Sequence, residues 1–244
     1  SAPHPRRSPP LFDVEAMLKR LPAEARASVI WARKPITEQL ERLRREPLTD
    51  ELVASAARQL AEPMHAVAAA AWRALAPSLP ALQSALMTDF ANEERRLRAF
   101  VDDEDSRDTV GWITGLLRSF YSTAFATFTP AQLTELAPTD VREALVSEEL
   151  EPFMRGTAAL TAAATEAREG HDAARASELI DVAFLAFSDF RDVMRRRGLH
   201  ISPYPFATIE ERRTQLAESA RRVREAFAPE DWTEISRARL GNLR

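Results

Sequence analysis

Apolar residues recur along this chain at the spacing expected of α-helices. From residue 79 onward they form one stripe, with most charged side chains elsewhere, and this stripe consists of Leu82, Leu86, Phe90, Leu97 and Val101. Similar stripes run through residues 52–75 and 209–227. No segment combines alternating apolar residues, β-branched side chains and turn dipeptides as a strand requires. The pattern predicts an all-α protein, a multi-helix bundle of about eight to ten helices.

Proline positions predict where these helices begin and where they are interrupted. Three prolines stand where a first helical turn is expected, namely Pro22, Pro130 and Pro229. Pro63 and Pro152 instead stand inside long helical patterns. Because proline removes a backbone donor and clashes with the preceding turn, we expect each of these two to kink or split its helix.

The start of the sequence differs from the rest. Residues 1–10 contain four prolines and two arginines and offer no apolar face, so they are predicted to form a disordered arm. Residues 11–244 are expected to form a single helical domain. A candidate sub-boundary lies near 199–207, where closely spaced prolines favour an extended connection.

Composition excludes several kinds of chemistry. The chain has 244 residues, a formal net charge of −4 and no cysteine, which rules out disulfides, thiolate metal sites and cysteine nucleophiles. The lack of cysteine fits a reducing cytoplasm, and no signal peptide is expected because no apolar run follows the first residues. Lysine occurs only as Lys19 and Lys34 while arginine and alanine are abundant, as is typical of a GC-rich bacterial genome.

The glycines exclude further classes of function. They form no phosphate-binding loop, no dinucleotide fingerprint and no nucleophile elbow, and we expect no cofactor. The longest weakly charged run, residues 109–134, contains Arg118, so no membrane span is expected there. Within that run Gly111 and Gly115 share one helix face, which predicts the close approach of a neighbouring helix.

Glu62 and His65 have the Glu-x-x-His spacing of di-iron carboxylate bundles. A working site of that kind needs a second such motif and further glutamates, which the sequence lacks. The two residues also share a stripe with Arg58, opposite Leu60 and Met64. The stripe is therefore interpreted as facing solvent, and no metal is expected.

An acidic cluster, residues 102–105, invites comparison with the aspartate-rich motifs of all-helical terpenoid synthases, which hold magnesium and diphosphate. Ser106 stands where the last carboxylate of such a motif would fall, and no second motif is evident. The cluster also coincides with the predicted end of one helix and start of the next, where carboxylates favour a helix N-terminus. A structural role is the preferred interpretation.

Arg195 and His200 have the Arg-x4-His spacing of helical-bundle ribonucleases of the HEPN type. In such a site the histidine would act as general acid or base and the arginine would stabilise the developing phosphorane charge. The alternative is a basic helix end closed by Gly198, with cations next to the negative end of the helix dipole. This second interpretation is preferred, because three consecutive arginines raise the chance that a nearby histidine matches the Arg-x4-His spacing without any function.

Arginine is concentrated between residues 191 and 224, a segment that contains nine arginines and four carboxylates. Residues 135–151 are the opposite, with six carboxylates against Arg142. The arginine-rich segment predicts binding of an acidic protein partner or self-association, whereas the acidic pI of 5.7 argues against nucleic acid. The candidate binding residues are Arg195, Arg196, Arg197, Arg212, Arg213, Arg221 and Arg222.

Two predicted helices are apolar around most of their circumference, and each carries one isolated charge. These charges are Arg118 and Asp181. A buried charge is costly unless it is paired, so we expect Arg118 to be largely buried and bound to a carboxylate, with Asp181 as the first candidate. The pair is interpreted as fixing the register of the helices, although it could also form the polar floor of a ligand pocket.

The sequence thus predicts a soluble, cytoplasmic bacterial protein that is all-α and non-catalytic, a protein-interaction module with an adaptor, regulatory or scaffold role. The expected partner is another protein or a second copy of this chain, without a membrane or nucleic acid. Two alternatives stay open: the ribonuclease that uses Arg195 and His200, and a small-molecule binder with a cavity between residues 112–128 and 179–190.

Overall fold

The computed structural model describes residues 13–75, 79–127 and 150–196, and every regular element in these ranges is a helix. The elements are α1 (Val14–Arg20), α2 (Ala23–Val29), a 3₁₀ turn (Ile30–Ala32), α3 (Arg33–Arg45), α4 (Asp50–Leu75), α5 (Leu79–Phe100), α6 (Glu104–Thr127), α7 (Leu150–Glu169) and α8 (Ala173–Arg196). The predicted all-α class is confirmed for these ranges. The predicted total of eight to ten helices is not confirmed, and the arm at 1–10 and the connection at 199–207 lie outside the described residues.

Helix α7 occupies the centre of the bundle. It packs most extensively against α8, then against α4, and also contacts α3 and α5. Half of its 20 residues are glycine, alanine or threonine, and its buried residues include Ala158, Ala159, Leu160, Ala162, Ala163 and Ala164. Alanine favours helix and lets neighbouring helices approach closely. The alanine-rich sequence therefore explains why this helix can be surrounded by others.

A tight turn joins α7 to α8. Gly170 has a φ of 61°, the left-handed conformation that glycine adopts most readily after a helix end. The amide of His171 donates to Glu166 O at 3.2 Å and that of Gly170 to Ala167 O at 3.3 Å, which is the Schellman pattern. Asp172 then caps α8 by accepting a 2.9 Å hydrogen bond from the amide three residues later. These caps fold α8 back along α7.

The acidic cluster lies between two helices, as predicted. Helix α5 ends at Phe100 and α6 begins at Glu104. Asp103 accepts hydrogen bonds from the amide and the hydroxyl of Ser106, both at 2.7 Å, and from Ser177 Oγ of α8 at 3.2 Å. It therefore acts as a helix cap that also ties α6 to α8.

Neither internal proline splits a described helix. Pro63 is buried inside α4, which runs on from Asp50 to Leu75, so it does not split this helix; the other expected outcome, a kink, stays a prediction. Alanine-rich sequence on both sides and packing against α3 and α7 maintain the helix. Pro152 lies in the first turn of α7, where no intrahelical bond needs its missing donor.

Helix α6 contains the first part of the weakly charged run. It buries one apolar face, made of Val110, Ile113, Leu116 and Leu117, and it packs against α5 and α8. Among the helices of the described ranges, none has the length and apolar character needed to cross a membrane.

A close helix–helix approach occurs at Gly156, a residue that the helical pattern did not point to. An added Cβ there would lie 2.8 Å from ring atoms of Phe187 on α8, a ring that is itself fully buried. At Gly111, where close packing was expected, an added Cβ would have its nearest neighbour at 3.6 Å, an ordinary contact with Arg98. Glycine is therefore required sterically at the α7–α8 contact and not at position 111.

These two positions give a matched pair of substitutions. Gly156→Ala should lower the free energy of unfolding by about 1–3 kcal/mol because the buried Phe187 ring has to move. Gly111→Ala should leave it unchanged or raise it by up to about 1 kcal/mol, since alanine is the better helix former. Urea denaturation followed by circular dichroism measures both, and equal losses at the two positions would contradict this account of the packing.

Candidate functional site

The most deeply buried charges lie where α3 ends beside the end of α7. We call Arg44, Glu41, Glu166 and Glu169 the Arg44 cluster. The Arg44 side chain is 2% exposed and that of Glu166 is 1% exposed. Arg44 donates from Nε to Glu166 Oε1 at 2.6 Å, from Nη1 to Glu41 Oε1 at 2.6 Å, and from Nη2 to Glu169.

Backbone groups complete this cluster. Glu166 Oε2 accepts from the amide of Asp172 at 2.9 Å and lies 3.2 Å from His171 Nδ1. Arg175 of α8 donates from Nε to the carbonyl oxygen of Arg44 at 2.9 Å. Burial alone lowers the pKa of Arg44, but its hydrogen bonds to Glu169 and Glu166 outweigh that effect and leave the pKa raised. Because both buried charges are fully engaged, the cluster is a structural joint between α3, α7 and α8.

A second buried carboxylate is only partly satisfied. Glu93 of α5 accepts at Oε1 from Arg96 at 3.0 Å and from Arg168 of α7 at 3.2 Å. Its Oε2 atom is buried and has no hydrogen-bond partner in the described part of the chain. Burial raises the pKa of Glu93, and the charges of Arg168 and Arg96 oppose this only in part.

Arg118 does have a carboxylate partner. It donates from Nη2 to Glu94 of α5, which belongs to the helix that precedes α6 in the chain. The Arg118 side chain is 33% exposed, so it is half-buried and lies at the edge of the core. Asp181 is partly buried on α8, and its pairing with Arg118 stays a prediction.

The last two turns of α8 carry a different kind of arginine. We call Arg191, Arg195 and Arg196 the α8 arginine face; Arg191 and Arg195 are half-buried and Arg196 is exposed. Among the described residues, the closest carboxylate oxygen to Arg191 is Asp192 Oδ1, 3.9 Å from Nη2. The Nε atom of Arg191 is buried without a hydrogen-bond partner among the described residues. Arg195 forms no ion pair with any residue that the structure describes.

Trp112 of α6 lies against this face. The Arg191 guanidinium carbon is 5.3 Å from the centroid of the Trp112 ring, within the range of a cation–π contact. Burial lowers the pKa of Arg191, and the like charge of Arg195 adds to that effect. Positive charge is thus concentrated at a partly desolvated position, and among the described residues only the exposed carboxylate of Asp192, 3.9 Å away, opposes it.

Other arginines of the core have closer carboxylate partners. Arg44, Arg118 and Arg168 each hydrogen-bond to a carboxylate on another helix. Arg155 of α7 lies 2.6 Å from Glu151 Oε1. Within the described ranges, the half-buried Arg191 and Arg195 are therefore candidates for binding an anion that comes from outside this set of residues.

The remaining predicted residues fall in two groups. Glu62 is exposed and His65 is half-buried on α4, and the described residues contain no group of three or more potential ligands that could hold a metal ion. Arg195 and Arg196 lie in the last turn of α8. The other candidates lie outside the described residues: Arg197, His200, Arg212, Arg213, Arg221 and Arg222.

The sequence matches no protein-family model, no curated protein and no solved structure.

The Arg44 cluster predicts a large stability loss. Arg44→Met should lower the free energy of unfolding by about 3–5 kcal/mol, because it leaves Glu166 buried without its counter-charge. The matched control is Arg33→Met, which removes a 2.5 Å ion pair with Glu15 whose side chains are 58% and 48% exposed. That exposed pair should contribute less than about 1 kcal/mol. Chemical denaturation compares the two, and similar losses would show that Arg44 is not a structural joint.

Glu93 predicts a pH-dependent stability. Because the pKa of Glu93 is raised in the folded state, its protonated form stabilises the fold, and this stabilisation is complete at pH values below the pKa of the unfolded chain. The stabilisation is lost as the pH rises through the pKa of the folded state. Glu93→Gln should therefore raise the melting temperature at pH 7, and the difference from wild type should shrink as pH falls towards about 4. Melting curves across this range test it; a variant that is less stable at neutral pH would contradict the assigned effect of burial.

Proposed function

We propose that this chain is a non-catalytic interaction module of the bacterial cytoplasm, with an adaptor, regulatory or scaffold role, that binds an acidic segment of a partner through the α8 arginine face. The partner is another protein or a second copy of this chain. One observation supports the proposal above the others: Arg191 and Arg195, half-buried and one helical turn apart, form no hydrogen bond to any described carboxylate.

The energetics of burial support this choice of surface. A guanidinium taken out of water loses hydration and normally recovers it through a carboxylate, as Arg44 does. Within the part of the chain that the structure describes, Arg191 has only a distant ion pair with its exposed sequence neighbour Asp192. A partner carboxylate would supply the missing counter-charge, and it would form charge-assisted hydrogen bonds in a partly desolvated setting, where they are stronger than in water.

Charge along the sequence supports the same proposal. The arginine-rich segment that begins at Arg191 continues to Arg224 with an excess of arginine over carboxylates, whereas residues 135–151 are strongly acidic. Complementary charge raises the rate at which two such surfaces meet and selects against basic partners. A second copy of the chain also carries a segment of the required sign.

Fluorescence anisotropy with a defined probe tests the proposal. The probe is a fluorescein-labelled peptide of alternating glutamate and alanine, with a glutamine-for-glutamate peptide as its uncharged control. We expect the full chain to bind the acidic peptide in a salt-dependent manner and to lose affinity by about tenfold or more when Arg195→Glu and Arg196→Glu are combined. The matched charge reversal Arg58→Glu, on the exposed side of α4, should leave binding unchanged.

Three results would overturn the proposal. The first is no binding of the acidic peptide at low salt, and the second is equal weakening by Arg58→Glu. The third is cleavage of a labelled RNA by the wild-type chain that is lost in both Arg195→Ala and His200→Ala, because that result would establish the ribonuclease alternative.

A further inference from the structure

Two aromatic rings and one arginine meet between α6 and α8. Trp112 and Phe184 are half-buried and pack edge to face, with ring centroids 4.9 Å apart and an interplanar angle of 64°. Arg191, two turns after Phe184 on α8, places its guanidinium carbon 5.3 Å from the Trp112 ring centroid. The Phe184 contact fixes the indole ring, and the indole ring in turn positions the guanidinium.

This arrangement is poorly explained as a device for stability. The Arg191 side chain is only 22% exposed, and its buried Nε donor has no partner in the described part of the chain. A cation–π contact compensates a desolvated cation less than a hydrogen-bonded carboxylate does. A methionine at this position would fill similar space without the cost of a charge, so arginine has a cost here that packing does not offset.

We infer that Trp112 and Arg191 form a binding site for a carboxylate that is attached to an aromatic or apolar group, an inference that rests on the proposed function for the class of partner. The Arg191 side chain is 22% exposed, and its guanidinium can donate hydrogen bonds to a carboxylate. The half-buried aromatic pair offers apolar surface near this guanidinium. Arg195, one turn further along α8, adds a second positive charge.

Two kinds of molecule carry a carboxylate next to an aromatic group. One is an acidic side chain next to an aromatic residue in a partner protein, and the other is a free molecule such as an arylacetate. Both present one carboxylate at a short distance from an apolar ring. The apolar body sets this ligand class apart from the glutamate–alanine probe, which offers charge without an aromatic group.

Isothermal titration calorimetry on the full chain tests both sources. Phenylacetate represents the free molecule, with phenylacetamide as a control of the same shape and no charge. A short peptide containing Phe-Glu represents the protein source, with Phe-Gln as its control. Each ligand is titrated into wild type, Arg191→Met, Trp112→Phe and the matched control Arg58→Met, and the melting temperature of each variant is recorded without ligand.

We expect wild type to bind at least one carboxylate ligand and to prefer it over its amide control. Arg191→Met should weaken that binding by about tenfold or more, because a charge-assisted hydrogen bond is lost, while its melting temperature stays equal or rises. Trp112→Phe should weaken binding less, and Arg58→Met should not change it. Tighter binding of the peptide identifies a protein partner, and tighter binding of phenylacetate identifies a small molecule.

Two outcomes overturn the inference. One is that neither carboxylate ligand binds better than its amide at millimolar concentration, and the other is that Arg191→Met lowers the melting temperature and leaves binding intact. Failure of the proposed function is recognised separately. If Arg195→Glu with Arg196→Glu abolishes binding of the glutamate–alanine peptide and Arg191→Met has no effect on any ligand, the proposed function stands and this inference is wrong.

Discussion

The bundle depends on how the charge of Arg44 is compensated. Its guanidinium is surrounded by helices and reaches carboxylates on α3 and α7, while Arg175 of α8 binds the carbonyl oxygens of Arg44 and Glu46. These contacts join the end of α3 to the tight turn between α7 and α8. That turn sets how α8 folds back on the central helix, and α8 in turn determines where Trp112 and Arg191 meet. A buried ion pair of this kind imposes one arrangement, because breaking it leaves a charge without a partner.

The degree to which a buried charge is compensated also distinguishes charges that hold the helices together from charges that we propose to bind a partner. Arg44 and Arg191 are both removed from water, but only Arg44 has its donors occupied by carboxylates of the described helices. Glu93 lies between these extremes, with one oxygen bound to two arginines and the other without a partner among the described residues. Incompletely compensated buried charges lower the stability of the fold. Such local losses of stability are typical of positions that bind ligands or titrate. The proposed interaction surface therefore lies where carboxylate partners are lacking among the described residues, and not simply where charge is abundant.

Sequence periodicity was sufficient for the fold class and for the turn between α5 and α6, because apolar stripes and helix caps are local features. It was insufficient for long-range pairs. Arg44 and Glu166 are 122 positions apart, so their contact depends on which helices pack together. The rule that an isolated charge in an apolar helix needs a counter-charge correctly gave Arg118 a carboxylate, but could not identify Glu94 as the nearby one. Gly156 gave no signal, because only the position of the Phe187 ring makes a side chain there sterically unfavourable.

Proton–nitrogen NMR of the arginine Nε–H groups tests the central contrast most directly. Assignment by Arg44→Met and Arg191→Met would identify the two resonances in the full chain. The account predicts that the Arg44 Nε–H exchanges slowly with solvent, as expected for a buried group hydrogen-bonded to a carboxylate, and does not respond to phenylacetate or to the Phe-Glu peptide. The Arg191 Nε–H should shift when one of these ligands is added. An Arg191 resonance that already has the shift of a carboxylate-bound group in the free protein, and stays unchanged on titration, would contradict it.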